Sequence, residues 1–150
     1  MPVGTYLLAQ EVTQAIAAQL EEIGVRANIH EMEFGAFMNK YLRAHDLAPM
    51  GYISLAWPTL DGDGLLSFFE TGNIYAYWDD PQYTGLLRQS RQAATADERR
   101  RLLQQAGARL CEESPSLWLF TQPATYGLSN RVNWQARGDD WVLARDFALR

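Results

Sequence analysis

An unbroken apolar run that ends in a tryptophan and an acidic turn constrains the fold of this chain most. The run covers residues 50–56 (MGYISLA), is apolar apart from Ser54 and does not alternate, which predicts a parallel strand buried on both faces. The amphipathic stretch WPTLDGDGLLSFF follows at residues 57–69. Residues after the carboxyl end of such a strand line the ligand crevice of an open α/β sheet. The sequence therefore predicts an α/β fold with a ligand site directly after residue 56.

The length and charge of the chain limit the classes of molecule that it is expected to bind. A chain of 150 residues that is 47% hydrophobic fits one domain with a sizeable core. Its formal net charge is -5, and its basic residues are scattered except for the triplet Arg99, Arg100 and Arg101. Nucleic-acid-binding proteins present a basic surface, whereas this triplet is typical of the solvated face of a helix. We therefore expect no nucleic-acid partner.

Signals for cofactors, metals and membrane spans are absent from the sequence. Cys111 is the single cysteine, so no intrachain disulfide or cysteine-rich zinc site can form, and the helical pattern predicts a small core residue there. No run approaches the roughly 20 apolar residues that span a bilayer. The N-terminus lacks a basic segment followed by an apolar one, and no phosphate-binding, dinucleotide or zinc motif occurs. We expect neither a cofactor nor a metal, and no export signal within this stretch.

The first half of the chain alternates helical and strand patterns. Residues 5–23 predict a helix that stops at Gly24, and residues 25–30 alternate as a half-buried strand. A second helix carries a helical stripe of apolar residues, namely Phe34, Phe37, Met38, Tyr41 and Leu42. With the strand at 50–56, this order predicts parallel pairing through right-handed crossovers. Because no strand pattern precedes the first helix, we expect the chain to be part of a longer protein.

Capping signals predict two helices in the second half. The segment 79–81 (DDP) joins an acidic cap to a proline in the first turn, and residues 95–98 (TADE) form a capping box. The second of these helices is expected to end before Pro115. Residues 117–120 (LWLF) then predict a buried strand, and residues 141–149 predict one last short strand.

Several motifs together point to one family. The helix end QLEEIGV lies at residues 19–25, and the apolar strand ends in Trp57 before an acidic turn and the helix LLSFF. Further motifs are the Gly72-Asn73 loop, YWDDPQY at 77–83, TADER at 95–99, ESPSLWLF at 113–120 and RGDDW at 137–141. In their residue types, order and separation these motifs resemble those of the family 5 solute-binding proteins of peptide, opine and nickel ABC importers. The resemblance covers nearly the whole chain.

The resemblance implies a fold and a domain organisation. The chain would be one lobe of a two-lobed clamp like that of periplasmic binding proteins, with a mainly parallel sheet flanked by helices. Residues 1–122 would form the ligand-binding lobe, without its first strand and its partner lobe, and residues 123–150 would return toward that partner lobe. The complete protein would be about three to four times as long as this chain, which fits the usual size of domains.

The resemblance also implies a role. A protein of this family is the substrate-binding component of an ABC importer, not an enzyme. It captures a peptide-like or related small solute in a cleft between its lobes and delivers it to a membrane permease. The implied partners are the solute, the protein's own N-terminal lobe and the transmembrane subunits of the permease. The implied location is periplasmic, with a signal peptide on the full-length protein.

The implied ligand contacts begin in the turn after the buried strand. Trp57 would form a flat apolar wall, and peptide-binding relatives place an aspartate shortly after this tryptophan to pair with the amino terminus of the ligand. Leu60 stands where that carboxylate often falls, so either Asp61 takes over the role or the ligand has no amino group to bind. Thr59 and Asp63 belong to the same predicted site. Asp61 and Asp63 equally fit a structural role as a turn or helix cap.

Three further ligand contacts are predicted outside that turn. Tyr75, in the loop after Asn73, is placed to overhang the cleft or to pack on its own lobe. Thr5 and Tyr6 lie at the predicted N-terminus of the first helix, where free backbone amides can bind a ligand carboxylate.

Two other classes of function stay open at this stage. The same lobe also occurs as the ligand-sensing domain of cytoplasmic transcription regulators, and an upstream DNA-binding helix in the complete reading frame would favour that role. A hydrolase would use Asp61, Asp63 and Glu70 as metal ligands or acid and base groups. Carboxylates at i and i+2 can bind magnesium or calcium, but the full calcium-loop pattern is missing and no histidine supports the site.

Overall fold

The computed structural model describes residues 1–47, 49–57 and 59–150, which form two compact units. The first unit contains Met1–Leu55 and Gly72–Tyr77, and the second contains Ala56–Thr71 and Trp78–Arg150. The predicted division at residues 122 and 123 concerns the lobes of a longer protein and stays a prediction.

The first helix, α1, covers Ala9–Glu22 and confirms the predicted helix at a shorter length. Its apolar stripe is half-buried, and Gly24 ends it at φ +83° with its amide donating to the Glu21 carbonyl at 2.9 Å. The predicted start at Thr5 is wrong. Leu8 has φ +54°, and a residue in this left-handed region interrupts a right-handed helix. The helix therefore begins at Ala9, and its N-terminal amides follow that residue.

The second predicted helix is confirmed but changes type along its length. Helix α2 covers Phe34–Met38, and a π-helix continues it over Asn39–Ala44. The Glu33 carboxylate caps α2 by accepting from the amides of Gly35 at 2.8 Å and Ala36 at 3.0 Å. π-helical turns are rare and often mark functional sites. Here the turn carries Tyr41, whose surroundings are described below.

Extended backbone in the first unit pairs at one parallel bridge, between Pro2 and Met32. The Met32 amide donates to the Met1 carbonyl at 3.0 Å, and the Val3 amide donates to the Met32 carbonyl at 3.0 Å. The segment before α1 thus meets the segment after it in parallel. Regular strands are not formed at residues 25–30 or 50–56, all of which the structure describes.

The second unit contains three further helices with the predicted kinds of cap. Helix α3 covers Gly62–Leu66 and continues as a 3-10 turn over Ser67–Phe69, α4 covers Pro81–Gln92, and α5 covers Ala96–Glu113. Their N-cap residues are Asp61, Asp80 and Thr95, and each side chain accepts a hydrogen bond from a first-turn amide. Ser114, with φ +48°, ends α5 one residue before Pro115.

The core of the second unit lies between α4 and α5. Its buried members are Tyr83 and Leu87 of α4 and Ala106 and Leu110 of α5. Further side chains pack against this core from the segment that follows Trp57, from the segment that precedes α4 and from the two helices, namely Leu66, Phe69, Trp78, Leu86 and Leu103. The helix pair therefore supports the turn in which the sequence predicts ligand contacts.

The predicted core position of Cys111 is wrong, because its side chain is exposed. Leu110 is the buried residue, and the next residue in a helix points about 100° away around the axis, toward solvent in this case. The thiol is a surface group of α5.

The remaining strand predictions have different outcomes. Residues 117–120 form no regular strand, and their four large apolar side chains are 42–68% exposed. Of residues 141–149, only β2 (Ala148–Leu149) is a strand, and it pairs antiparallel with β1 (Val132–Asn133). The described parts of the chain thus hold five α-helices, a two-stranded sheet and one parallel bridge. A mainly parallel sheet flanked by helices stays a prediction.

Candidate functional site

Trp57 lies half-exposed at the start of the turn. Its indole is 39% exposed and meets Phe68 edge to face, with ring centroids 5.7 Å apart and planes at 84°. The indole also lies over the backbone of Gly64, so closely that a Cβ at Gly64 would overlap it. Glycine is therefore required at position 64 for the observed position of Trp57. The packing fixes the ring while leaving part of its surface in solvent.

Leu60 forms the tip of the turn. Its amide donates to the Trp57 carbonyl at 3.2 Å, and its side chain is 70% exposed. The backbone is left-handed at Leu60, with φ +56°, which is uncommon for a leucine. The Thr59 hydroxyl accepts weakly from the Asp61 amide at 3.4 Å. The turn thus presents an apolar side chain, not a carboxylate, at its tip.

Asp61 has two partners within the second unit. Its Oδ1 accepts from the Asp63 amide at 2.9 Å, which caps α3. Arg99 of α5 binds both carboxylate oxygens, with Nη1 3.0 Å from Oδ2 and Nη2 2.8 Å from Oδ1. The hydrogen bonds from Arg99, and then the one from the Asp63 amide, hold the pKa of Asp61 below its ordinary value. The carboxylate is therefore ionised and held in a bidentate pair.

Asp63 is bound by Arg91 of α4. The Nε of Arg91 lies 3.0 and 3.1 Å from the two carboxylate oxygens of Asp63. The other end of the guanidinium binds Glu70, with Nη1 3.2 Å from Oε1 and Nη2 2.8 Å from Oε2. Hydrogen bonds to Glu70 and Asp63 raise the pKa of Arg91. One arginine thus joins the start and the end of residues 61–70, here called the α3 segment, to the last turn of α4.

An open cleft of about 430 Å³ lies beside this turn within the second unit. Residues of α3 and α5 line it, namely Gly62, Leu66, Ala96, Arg99, Arg100, Leu103 and Gln104. The lining combines apolar side chains with guanidinium and amide groups. The sequence interpretation treated residues 99–101 as a solvated helix face and missed the role of Arg99. Nothing local marks Arg99, because its carboxylate partner is 38 residues away along the chain.

Tyr75 packs within the first unit, against the π-helix. Its carbonyl accepts from the Tyr41 hydroxyl at 3.0 Å, and the two rings meet edge to face at 5.8 Å. Tyr77 stacks on Tyr41 at 5.5 Å and on His45 at 4.4 Å. Burial, followed by the neighbouring hydroxyls of Tyr77 and Tyr75, raises the pKa of Tyr41 to about 12. The aromatic loop is therefore held to its own unit by several contacts.

Thr5 and Tyr6 precede α1 by a few residues and do not occupy its first turn. Thr5 is exposed, and its hydroxyl donates to the Val3 carbonyl at 3.4 Å. Tyr6 lies between Phe34, at 6.4 Å, and Tyr52, at 5.9 Å, and burial raises its pKa. The first-turn amides of α1 therefore lie beyond these two residues, whose assignment as ligand contacts stays a prediction.

The structure thus groups the predicted site residues by unit. Trp57, Thr59, Asp61 and Asp63 share one turn of the second unit, whereas the others belong to the first unit, namely Thr5, Tyr6 and Tyr75. Their assignment as ligand contacts stays a prediction.

Residues 1–47, 49–57 and 59–150 contain no three histidine, cysteine, aspartate or glutamate side chains that are placed to bind a metal ion. Of the three carboxylates of the hydrolase alternative, Asp63 and Glu70 share Arg91 and Asp61 binds Arg99. In the same ranges, no helix combines the length and the apolar character needed to cross a membrane.

Comparison with known proteins gives one distant relationship. No protein-family model matches the sequence. Over 109 residues the chain is 28% identical to Di/tripeptide-binding protein 4 of Pseudomonas aeruginosa (strain UCBPP-PA14). The aligned region is 68% of this chain and 20% of that protein, so the chain spans about a fifth of the curated relative it matches. The chain is therefore distantly related to a binding protein for short peptides.

Proposed function

We propose that this chain is part of the substrate-binding component of an ABC importer, which captures a peptide-like or related small solute and delivers it to a membrane permease. The observation that carries the proposal is the distant similarity to a di/tripeptide-binding protein. Because that protein is much longer than this chain, the complete protein, its periplasmic location and its partnership with permease subunits are all part of the proposal.

The proposed fold is one lobe of a two-lobed clamp with a mainly parallel sheet. The parallel bridge between Pro2 and Met32, on either side of α1, supports this topology, since two extended segments joined by a helix meet in parallel there. In such a clamp, ligand contacts with both lobes shift the population toward the closed form. The permease would then bind the closed, loaded form.

Trp57 is the proposed ligand wall of this lobe. Its indole packs against the backbone of Gly64 and edge to face against Phe68, and Trp57 remains 39% exposed. A fixed and partly exposed aromatic ring binds a ligand with little loss of side-chain entropy. Thr59 and Asp63 are proposed as neighbours of the ligand in the same turn. Tyr75 is proposed as a ligand contact of the first unit.

The first experiment is native mass spectrometry of the complete protein purified from its own cells. We expect a processed N-terminus and a co-purifying small solute. An unprocessed protein that carries an N-terminal DNA-binding segment would contradict the proposal and would favour a transcription regulator with the same fold.

A binding experiment tests the role of Trp57. The complete protein would be titrated with Ala-Ala and Ala-Ala-Ala by isothermal titration calorimetry. We expect Trp57→Ala to weaken binding of the better peptide by roughly 10- to 100-fold, because a buried aromatic contact dominates such sites. Trp141→Ala is the matched control, since Trp141 is 57% exposed and lies outside the turn. Equal effects of the two substitutions would contradict the role of Trp57.

A further inference from the structure

We propose that Arg99 binds the carboxylate of Asp61 and thereby makes it unavailable to a ligand ammonium group. The solute then presents an uncharged end to this lobe rather than a free ammonium group. The inference rests on the proposed function and names the class of its solute, a peptide-like molecule whose amino end is acylated or absent. It decides between the two roles that the sequence left open for Asp61.

The hydrogen bonds of Asp61 carry the argument. A carboxylate offers about four lone-pair positions. Three are used, by Nη1 and Nη2 of Arg99 and by the Asp63 amide, at 2.8–3.0 Å. The planar guanidinium matches both oxygens at once, which an ammonium group cannot do. A ligand amine at Asp61 would find one remaining position, on Oδ2, of a carboxylate whose charge Arg99 already compensates.

The other carboxylates of the α3 segment are compensated as well. Arg91 binds Asp63 and Glu70, and Arg88 lies 3.7 Å from Glu70. With Asp61 and Arg99, three carboxylates face three guanidinium groups, so the segment has no net negative charge to attract an amine. A cationic ligand group gains less from a carboxylate whose charge a guanidinium group already compensates.

The remaining groups of the turn and cleft suit an uncharged end. Leu60 places an apolar side chain at the tip of the turn, 70% exposed. The adjoining cleft presents Leu66 and Leu103 together with the amide of Gln104. An acyl or amide group has the polarity that this lining can accept, through apolar contact and hydrogen bonds to an amide.

The test uses the complete protein, with Ala-Phe and N-acetyl-Ala-Phe as probes in calorimetric titrations at pH 7. We expect the wild-type protein to bind the acetylated probe at least as tightly as the free amine. Arg99→Gln releases the Asp61 carboxylate, so the preference should shift toward Ala-Phe by roughly tenfold, as for one gained charged hydrogen bond. Arg101→Gln, on the same helix and exposed, should leave the preference unchanged. A wild-type preference of tenfold or more for Ala-Phe that is lost in Asp61→Asn would overturn the inference.

A second measurement tests the Asp61–Arg99 pair on which the inference depends, even if neither probe binds, a result that would count against the proposed function instead. Unfolding would be measured for Asp61→Asn, Arg99→Gln and the double variant. Asparagine caps helices as well as aspartate does, so Asp61→Asn isolates the pair with Arg99. We expect the double variant to have nearly the same unfolding equilibrium as either single variant. Additive effects would show that Arg99 does not occupy Asp61 and would overturn the inference.

Discussion

The carboxylate of Asp80 joins the first turn of α4 to Arg109 near the end of α5. Its Oδ1 accepts from the Tyr83 amide at 2.8 Å, and its Oδ2 accepts from Nε of Arg109 at 2.7 Å. Asp80 is only 6% exposed, so both bonds form largely out of water. The hydrogen bonds from Arg109, more than the one from the Tyr83 amide, lower the pKa of Asp80. This one side chain both caps a helix and fixes the helix pair that supports the candidate site.

Substitution of Asp80 separates these two roles. We expect Asp80→Ala to lower the free energy of unfolding by about 3 kcal/mol, because a cap and a charge-assisted hydrogen bond are both lost. Asp80→Asn keeps the cap and should cost about half as much. Urea denaturation measures both, with Asp97→Asn as the control, since Asp97 is 88% exposed and surface pairs contribute little. Equal losses for the two Asp80 variants would contradict the division of roles.

Acid should destabilise the fold through the same carboxylate. The pKa of Asp80 is lowered in the folded protein, and that of Asp61 likewise. Their contribution is therefore present above the unfolded pKa of about 4 and is lost as pH falls through the lower folded values. Melting temperatures measured from pH 7 to pH 3 should fall less steeply for Asp80→Asn than for the wild type. Parallel curves would contradict the prediction.

Tyr83 connects the core to the α3 segment through its hydroxyl. The ring is fully buried, and the hydroxyl donates to the Leu66 carbonyl at 2.6 Å. Tyr83→Phe keeps the ring and should cost about 1 to 2 kcal/mol, because the partly buried Leu66 carbonyl loses this partner. Tyr126→Phe is the control, at a tyrosine that is 40% exposed. Chemical denaturation measures the free energy of unfolding of both variants. A loss for Tyr83→Phe that is no larger than the loss for Tyr126→Phe would contradict the role of this hydrogen bond.

Gly64 determines the position of Trp57. A methyl group at Gly64 would overlap the indole, so Gly64→Ala should displace Trp57 and lower the free energy of unfolding by about 1 to 3 kcal/mol. The emission of Trp57, measured as the difference from a Trp57→Phe background, should shift to longer wavelength. Gly85→Ala is the control. A Cβ there meets no atom within 4 Å, and alanine in helix α4 should stabilise by about 0.5 to 1 kcal/mol. An unshifted emission in Gly64→Ala would contradict this packing.

Tyr41 should ionise later than an ordinary tyrosine. Burial raises its pKa to about 12, whereas an unfolded tyrosine ionises near pH 10. Its contribution to stability is therefore complete below pH 10 and is lost between pH 10 and 12. Ultraviolet titration of the wild type and of Tyr41→Phe should differ by one tyrosine that ionises near pH 12. A difference near pH 10 instead would contradict the burial of this hydroxyl.

The sequence predicted helices well because their signals are local. The caps at Asp80 and Thr95 bind amides three residues away, and the stop at Gly24 needs only a positive φ. Strand patterns at 25–30, 50–56 and 117–120 were less reliable guides. A strand forms only when a distant segment supplies its hydrogen-bonding partner, and an apolar pattern does not show whether one is present.

The candidate site could be located but not fully assigned from sequence. The position of Trp57 after an apolar run and the acidic residues behind it were visible, as was the capping role open to Asp61. The pairing of Asp61 with Arg99 was not, because it depends on how α5 packs beside α3. The left-handed backbone at Leu8 was also hidden, since leucine rarely adopts it.

The short connection between α4 and α5 has a consequence for the order of folding. Only residues 93–95 separate the two helices, so little loop-closure entropy is lost when Tyr83 and Leu87 meet Ala106 and Leu110. The helix pair should therefore form early on refolding. The turn after Trp57 should form later, because its partners Arg91 and Arg99 lie on the two helices of that pair. Loss of its arginine partners should therefore open the turn after Trp57 while the helix pair stays folded, because the two form in separate steps.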